Sequence, residues 1–260
     1  MKALYTAATG MLAQERNVEV ISNNIANLRT TGFKRARAEF QDLLYEDLRR
    51  VGTTSSATGT ILPTGVQIGS GVKLAATSRV MSQGSVQSTE RDLDVAIRGE
   101  GFFQVNLPDG RTAYTRDGSF QLNANGQLVT ADGFTVVPGI TVPNNASSIT
   151  INAEGSVQAV IGNGNPTDLG QLNLAKFVNK AGLDAIGDNL FLETPASGTP
   201  QIGNPASAGF GNLLQRHTES ANVNAVAEIS DLISAQRAYE MNSRVIRAAD
   251  EMLSSTANIR

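Results

Sequence analysis

The sequence has no cysteine and no tryptophan, a single histidine, and only 5% aromatic residues. Each shortage excludes something. Without Cys there are no disulfides and no thiolate metal sites, and the chain suits any compartment, an oxidising one included. A histidine-based triad would have to use His217, which sits in a polar stretch where a structural or solvent-facing histidine is the expected reading. No His-x-x-x-His spacing exists either. The chain lacks a basic excess, with a net charge of −3, which argues against general nucleic-acid binding. No apolar run approaches the roughly 18 residues of a membrane span. The stretch Ala3 to Ala13 is interrupted by Thr6, Thr9 and Gly10 and followed by Gln14, Glu15 and Arg16, a poor signal peptide. If the protein leaves the cytoplasm, another export route with the N-terminus kept is expected.

What is present is a pair of heptad-patterned ends. Leu4, Met11, Val18 and Ile25 fall seven apart, trailed by Ala7, Gln14, Ile21 and Leu28. At the other end Leu232, Tyr239, Ile246 and Leu253 repeat the interval. Ala238, Val245, Met252 and Ile259 form a flanking row, with Ala235 and Ala249 near the seam. Each end has a stripe to bury and no core of its own, so assembly is a stronger first reading than catalysis. The first helix is expected over about Ala3 to Leu28, stopped by Thr30, Thr31 and Gly32. The last is expected from Asn222 or Asn224, either of which can cap it, to about Asn258. Gly10 costs roughly 1 kcal/mol against Ala inside a helix, which points to simple tolerance or to close approach of a neighbour. Gln14 and Asn242 are polar seam residues suited to fixing register.

Between the ends the pattern changes. From Phe33 to Arg50, Phe40, Leu43, Leu44 and Leu48 have helical spacing among charges. Gly52 to Thr60 reads as a loop, and Pro63 to Leu74 as an extended, hairpin-like arm. From Lys73 to Phe191 the chain reads as β structure. Asp109-Gly110, Asp117-Gly118, Asn125-Gly126 and Asp132-Gly133 mark tight turns between short apolar runs. Pro195 to Asn212, rich in Pro, Gly, Ser and Ala, reads as a linker.

No catalytic constellation stands out. Gly99-Glu100-Gly101-Phe102 lacks the third glycine of a phosphate loop and reads as a turn or bulge. Arg91, Asp92 and Asp94 read as a turn before the Val95 strand rather than a metal loop. Arg29, Lys34, Arg35 and Arg37 form a basic cluster that Glu39, Asp42, Glu46 and Asp47 offset, so a solvated or subunit-contact face is expected.

Three further stretches carry a resemblance. Asn23 to Lys34 (NNIANLRTTGFK), continued by Arg37 to Tyr45, resembles the N-terminal motif of the bacterial flagellar axial proteins, the rod and hook family. Leu93 to Phe103 and Tyr114 to Phe120 resemble that family's β-domain signature. Asn222-Val223-Asn224 and Gln236 to Asn242 resemble its C-terminal motif. The resemblance spans nearly the whole chain in the family's order. The length and the Tyr45 to Leu74 arm resemble the distal branch of the rod, a proximal rod protein being the alternative, whereas hook members are longer.

The resemblance implies an α+β fold: a discontinuous terminal α-helical coiled-coil domain, an extended arm and an inserted, mainly antiparallel β domain. The expected divisions are 1–34 (N-terminal helix), 35–72 (arm), 73–212 (β domain with trailing linker) and 213–260 (C-terminal helix). It implies a non-enzymatic subunit that polymerises helically into a hollow drive shaft across the periplasm, carries torque and forms part of the export channel. Implied partners are further copies of the chain, proximal rod subunits, hook-side axial proteins, peptidoglycan and outer-membrane ring proteins and the flagellar type III export apparatus, with no cofactor, nucleic acid or membrane span. The expected subunit interface comprises Leu4, Met11, Val18, Ile21, Ile25, Leu28, Leu232, Tyr239, Ile246 and Leu253. The residues themselves leave open a monomer with an intrachain helical hairpin, a ligand-binding β domain with helical oligomerisation ends, and a β-rich surface adhesin.

Overall fold

The computed structural model describes residues 2–52, 64–162 and 164–257. All but the first residue of the expected Gly52 to Thr60 loop, and the row position Ile259, lie outside the described residues. The chain divides into two compact units, Met1–Ile25 with Ala36–Ser78 and Asn224–Arg260, and Ala26–Arg35 with Arg79–Val223. Among the described residues no helix is long and apolar enough to cross a membrane.

The first unit holds both helices, α1 (Lys2–Ala26) and α2 (Ala225–Ala257). The helix α1 ends two residues before the expected Leu28 because Asn27 to Thr30 close a turn, with Thr30 N donating to the Asn27 carbonyl at 3.1 Å. Asn224 caps α2. Its Oδ1 accepts from the backbone of Val226 (3.0 Å) and Ala227 (3.2 Å), which satisfies two donors that a helix start leaves open. The two helices run antiparallel. Gly10 faces Asn242, while Asn24 donates to Glu228 at 3.1 Å, so the numbers run in opposite directions along the contact.

The same unit carries two ribbons. Ala36–Asp42 pairs with Val72–Arg79, and Tyr45–Arg49 pairs antiparallel with Val66–Gly69, Tyr45 opposite Gly69. Leu43 N to the Gly71 carbonyl (2.8 Å) and Ser70 N to the Leu44 carbonyl (3.1 Å) link them. The helical spacing read over Phe33 to Arg50 is therefore corrected. Arg37, Glu39 and Gln41 alternate with Ala38, Phe40 and Asp42, and the ribbon follows this period of two rather than the longer one.

The second unit is mainly antiparallel β. Its largest sheet has nine strands, centred on Phe102–Asn106, which pairs with Thr112–Thr115, Thr135–Val136 and Leu174–Lys176. Phe103 and Val105 enter one core with Val95, Ile97, Phe120 and Leu174. Phe102 enters another with Tyr114, Phe177 and Phe191, as alternation along a strand requires. The scarce aromatics concentrate here, edge to face: Phe103 and Phe120 at 5.0 Å between ring centres, Tyr114 and Phe177 at 4.7 Å. Gly110, Gly126 and Gly133 take positive φ in the expected turns. Gly118 does not. A β-carbon there would overlap the Val95 carbonyl oxygen, so this glycine serves close backbone approach rather than turn formation.

Two expectations about connections change. The stretch Pro195 to Asn212 is not a free linker: Gln201–Gly203 pairs with Leu174–Lys176, and Ser197 is buried and hydrogen-bonded to Thr194. Its Pro, Gly and Ser residues supply turns, not freedom. Residues 213–219, placed by the sequence with the last helix, are two strands joined by a turn at Arg216. Asn212–Gln215 pairs with Val95–Arg98, and His217–Glu219 with Val86–Ser88, so the helix starts only at Ala225.

Candidate assembly surfaces

The helix pair hides mostly small side chains within the chain. Ala7, Ala13 and Ile21 of α1 and Ala235 and Ala249 of α2 are its buried apolar residues. A β-carbon on Gly10 would lie 2.8 Å from Asn242 Nδ2, so the glycine lets the helices approach and Asn242 fills the space. Of the expected interface residues, Ile21 is buried, and Leu4, Met11, Val18, Ile25, Leu232 and Ile246 are half-buried. Tyr239 and Leu253 are exposed. Leu28 is half-buried in the second unit, outside the helix. Val18 and Tyr239 are brought together in the lining of an open groove of about 670 Å³, with Glu15, Glu19 and Ser22 of α1 and Gln236 and Glu240 of α2. Arg16 donates to both oxygens of Glu19 at 2.8 Å, which raises the guanidinium pKa further above its usual range.

The sequence reading placed Val245 and Met252 in a flanking row but missed the second stripe on α2 to which they belong. Val226, Ile229, Ile233, Met241, Val245 and Met252 follow steps of three and four, interrupted by Arg237 and Ala248. All six apolar residues are exposed, Val226 at 79% and Met252 at 63%. At about 100° per residue, this stripe lies nearly opposite the side carrying Ala235, Asn242 and Ile246. Among the described residues, only one of the two apolar stripes of α2 faces α1, and the other is exposed.

Two buried polar clusters, also missed, hold the segments flanking the helices. In the first unit Asn24 exchanges hydrogen bonds with the backbone of Ala36, both at 2.9 Å, while donating to Glu228. In the second unit the basic cluster is corrected at Lys34, which is fully buried rather than solvated. Lys34 pairs with Glu219 and donates to the Ser82 carbonyl at 2.9 Å. Glu219 also accepts from Gly84 N at 2.9 Å, and Arg116 Nη1 stands 3.6 Å from its other oxygen. Arg116 further donates to the Gly99 carbonyl at 2.7 Å and lies over the Phe102 ring. Burial pushes the Lys34 ammonium below its usual pKa against the opposing pull of Glu219. Burial lowers that of Arg116 likewise. Asn222 adds further links: it accepts from Arg35 N (2.8 Å) and donates to the Val80 (2.7 Å) and Ser82 (3.1 Å) carbonyls and to the Ser82 hydroxyl (3.1 Å). The signal was in the sequence, as isolated Asn, Lys and Glu beside apolar runs, but nothing there showed which of them meet.

Family comparisons agree with this organisation. Residues 4–34 match the flagella basal body rod protein family, 96–159 the flagellar hook protein FlgE/F/G D1 domain, and 214–259 the flagellar basal body rod FlgEFG protein C-terminal family. Two long helices joined through a β body, with these matches in this order, define an axial protein of the flagellar rod and hook. The flagellar basal-body rod protein FlgG of Caulobacter vibrioides is 57% identical over 100% of both chains. That of Agrobacterium fabrum is 54% identical over 98% of this chain and 97% of its own. That of Bacillus subtilis is 38% identical over 100% of this chain and 99% of its own. The chain belongs to the FlgG family, the distal rod proteins, and is a structural subunit of the basal-body rod that serves motility.

Proposed function

We propose that the chain polymerises helically into the hollow, rigid distal rod, which transmits motor torque across the periplasm to the hook and forms part of the export channel. In this reading the subunit has no enzymatic role. The terminal helices, with the seam residues Leu4 to Leu28 and Leu232 to Leu253, build the inner layer. The segment 35–72, whose described part includes the strands Ala36–Asp42, Tyr45–Arg49 and Val66–Gly69, is the arm that bridges to neighbouring subunits. The sequence divisions at 34, 72 and 212 then mark functional parts rather than folding units. The partners are other copies, proximal rod subunits, hook-side axial proteins, the peptidoglycan and outer-membrane rings, and the type III export apparatus.

One observation carries the reading. The α1/α2 pair buries chiefly alanines, while Tyr5, Leu12, Val226, Met241 and Met252 stay exposed. Covering a large apolar side chain is worth roughly 1.5–3 kcal/mol, so several such contacts per subunit supply cohesion spread along a shaft. The full-length protein, seeded with preformed rod fragments, is expected to sediment as long tubes above a critical concentration. A chain that stays monomeric at every concentration and with every seed refutes the reading.

A further inference from the structure

We propose that the acidic groove between α1 and α2 of one copy receives the outer stripe of α2 from a second copy. The inference rests on the assembly reading above and assigns its contact faces. The groove is lined by the apolar surface of Val18 and Tyr239 and by the carboxylates Glu15, Glu240 and Glu19, the last already paired with Arg16. The outer stripe of α2 offers the complement. Val226, Ile229, Ile233, Met241 and Val245 supply apolar surface, and Arg237 and Arg244 stand exposed in the same line. Seven residues separate the two arginines, about 10.5 Å along the helix. Their stems can lie on apolar surface with the guanidinium heads among the groove carboxylates, and Tyr239 offers a ring face to one of them. The apolar contacts give cohesion and the charges set register and partner choice.

The second copy is the occupant because α2 is itself a wall of the groove, and its outer stripe points away from α1. A copy therefore cannot fill its own groove with its own stripe. The two surfaces also differ, so the contact is heterologous. Every added copy leaves a groove open at one end and a stripe at the other, which propagates a chain instead of closing a two-fold dimer.

Charge exchange in the full-length protein tests this. Glu15→Arg/Glu19→Arg makes the α1 wall of the groove basic, and Arg237→Glu/Arg244→Glu makes the stripe acidic. All four residues are exposed, so the circular dichroism of either monomer should match wild type. Each variant alone is expected to need at least tenfold more protein to polymerise. Mixed one to one, they should polymerise within about threefold of the wild-type concentration, because each basic groove then meets an acidic stripe and each acidic groove a basic one. A purely intrachain role for these charges would not be rescued by mixing. The proposal is overturned if the variants polymerise like wild type separately, or if the mixture does no better than its components. Seeded wild type that never polymerises overturns the assembly reading itself.

Discussion

Replacing Glu219 by Gln should destabilise the second unit far more than replacing Lys34 by Met, although the two residues are partners. Glu219 sits between two buried cations, Lys34 on one oxygen and Arg116 at 3.6 Å from the other. The isosteric amide keeps the shape and removes the only anion of the trio. Two buried cations are then left to repel each other, and each already has a pKa lowered by burial. Breaking a buried ion pair by removing one partner costs about 3–5 kcal/mol. Lys34→Met leaves Glu219 with Arg116 and with the Gly84 amide, so its loss should be nearer the cost of one buried hydrogen bond, about 1–2 kcal/mol. The second unit spans 10 residues in Ala26–Arg35 and 145 in Arg79–Val223, 155 together. For a unit of that size each kcal/mol moves Tm by roughly 2–4 °C. Glu219→Gln should therefore lower Tm by roughly 6–20 °C, and Lys34→Met by roughly 2–8 °C. Thermal unfolding of the full-length monomer at pH 7, followed through the β signal in circular dichroism, reads both. Equal losses, or a larger one for Lys34→Met, would refute the placement of Glu219 as the shared anion.

The other expectations are these. In Glu219→Gln the deficit should shrink as pH rises in the alkaline range. Burial already holds the folded Lys34 pKa below its ordinary 10.5 against the pull of Glu219, and without that carboxylate it falls further. Between the two folded values the variant gains stability with rising pH that wild type does not; thermal melts from pH 7 to 10.5 check it. Asn224→Ala removes the cap of α2 and should cost about 1 kcal/mol of helix stability, read as lost helical signal in the monomer with the β transition unmoved. Leu232→Asp or Ile246→Asp should abolish rod growth while leaving the β unit folded. A soluble variant of either kind that supports full motility contradicts the role given to the helices. Gly118→Ala, forced against the Val95 carbonyl, should cost at least 2–3 kcal/mol, and a melt within 2 °C of wild type would show that the backbone there yields freely.

Much of this architecture could be read from the chain, and the failures share a cause. Periodicity places α1 and α2 because a helix declares its buried face within two or three turns. Asn224 and the turns at Gly110, Gly126 and Gly133 are legible for the same reason: their chemistry acts over two to four residues. Lys34 was misread because its partner Glu219 is 185 positions away, and local charge counting sees only Arg29, Arg35 and Arg37. The stretch 195–212 was misread because composition reports backbone freedom, not whether hydrogen bonds have used it up. The ribbon over 36–49 was misread because Phe40, Leu43, Leu44 and Leu48 fit a helical period by chance, while the alternating charges beside them fit a strand.

The family-like motifs sit in a particular place. In NNIANLRTTGFK, Asn24 joins the Ala36 backbone and Glu228, Gly32 sits where a β-carbon would overlap the Asp117 backbone, and Lys34 pairs with Glu219. In YTRDGSF, Arg116 reaches the same Glu219, and in Asn222-Val223-Asn224 the first asparagine ties Arg35 to Val80 while the last caps α2. These motifs fasten each unit where the chain enters and leaves it. The exposed stripe of Val226, Ile229, Ile233 and Met241 and the groove beside Tyr239 use ordinary helix-surface residues with no fixed stereochemistry. The difference follows from the physics. A buried carboxylate between two cations tolerates almost no substitution, because any change strands a charge. An apolar stripe needs only hydrophobicity at the right spacing. In the proposed assembly, a fold locked by demanding nodes and contacts resting on permissive surfaces would let the subunit change neighbours without changing its own structure.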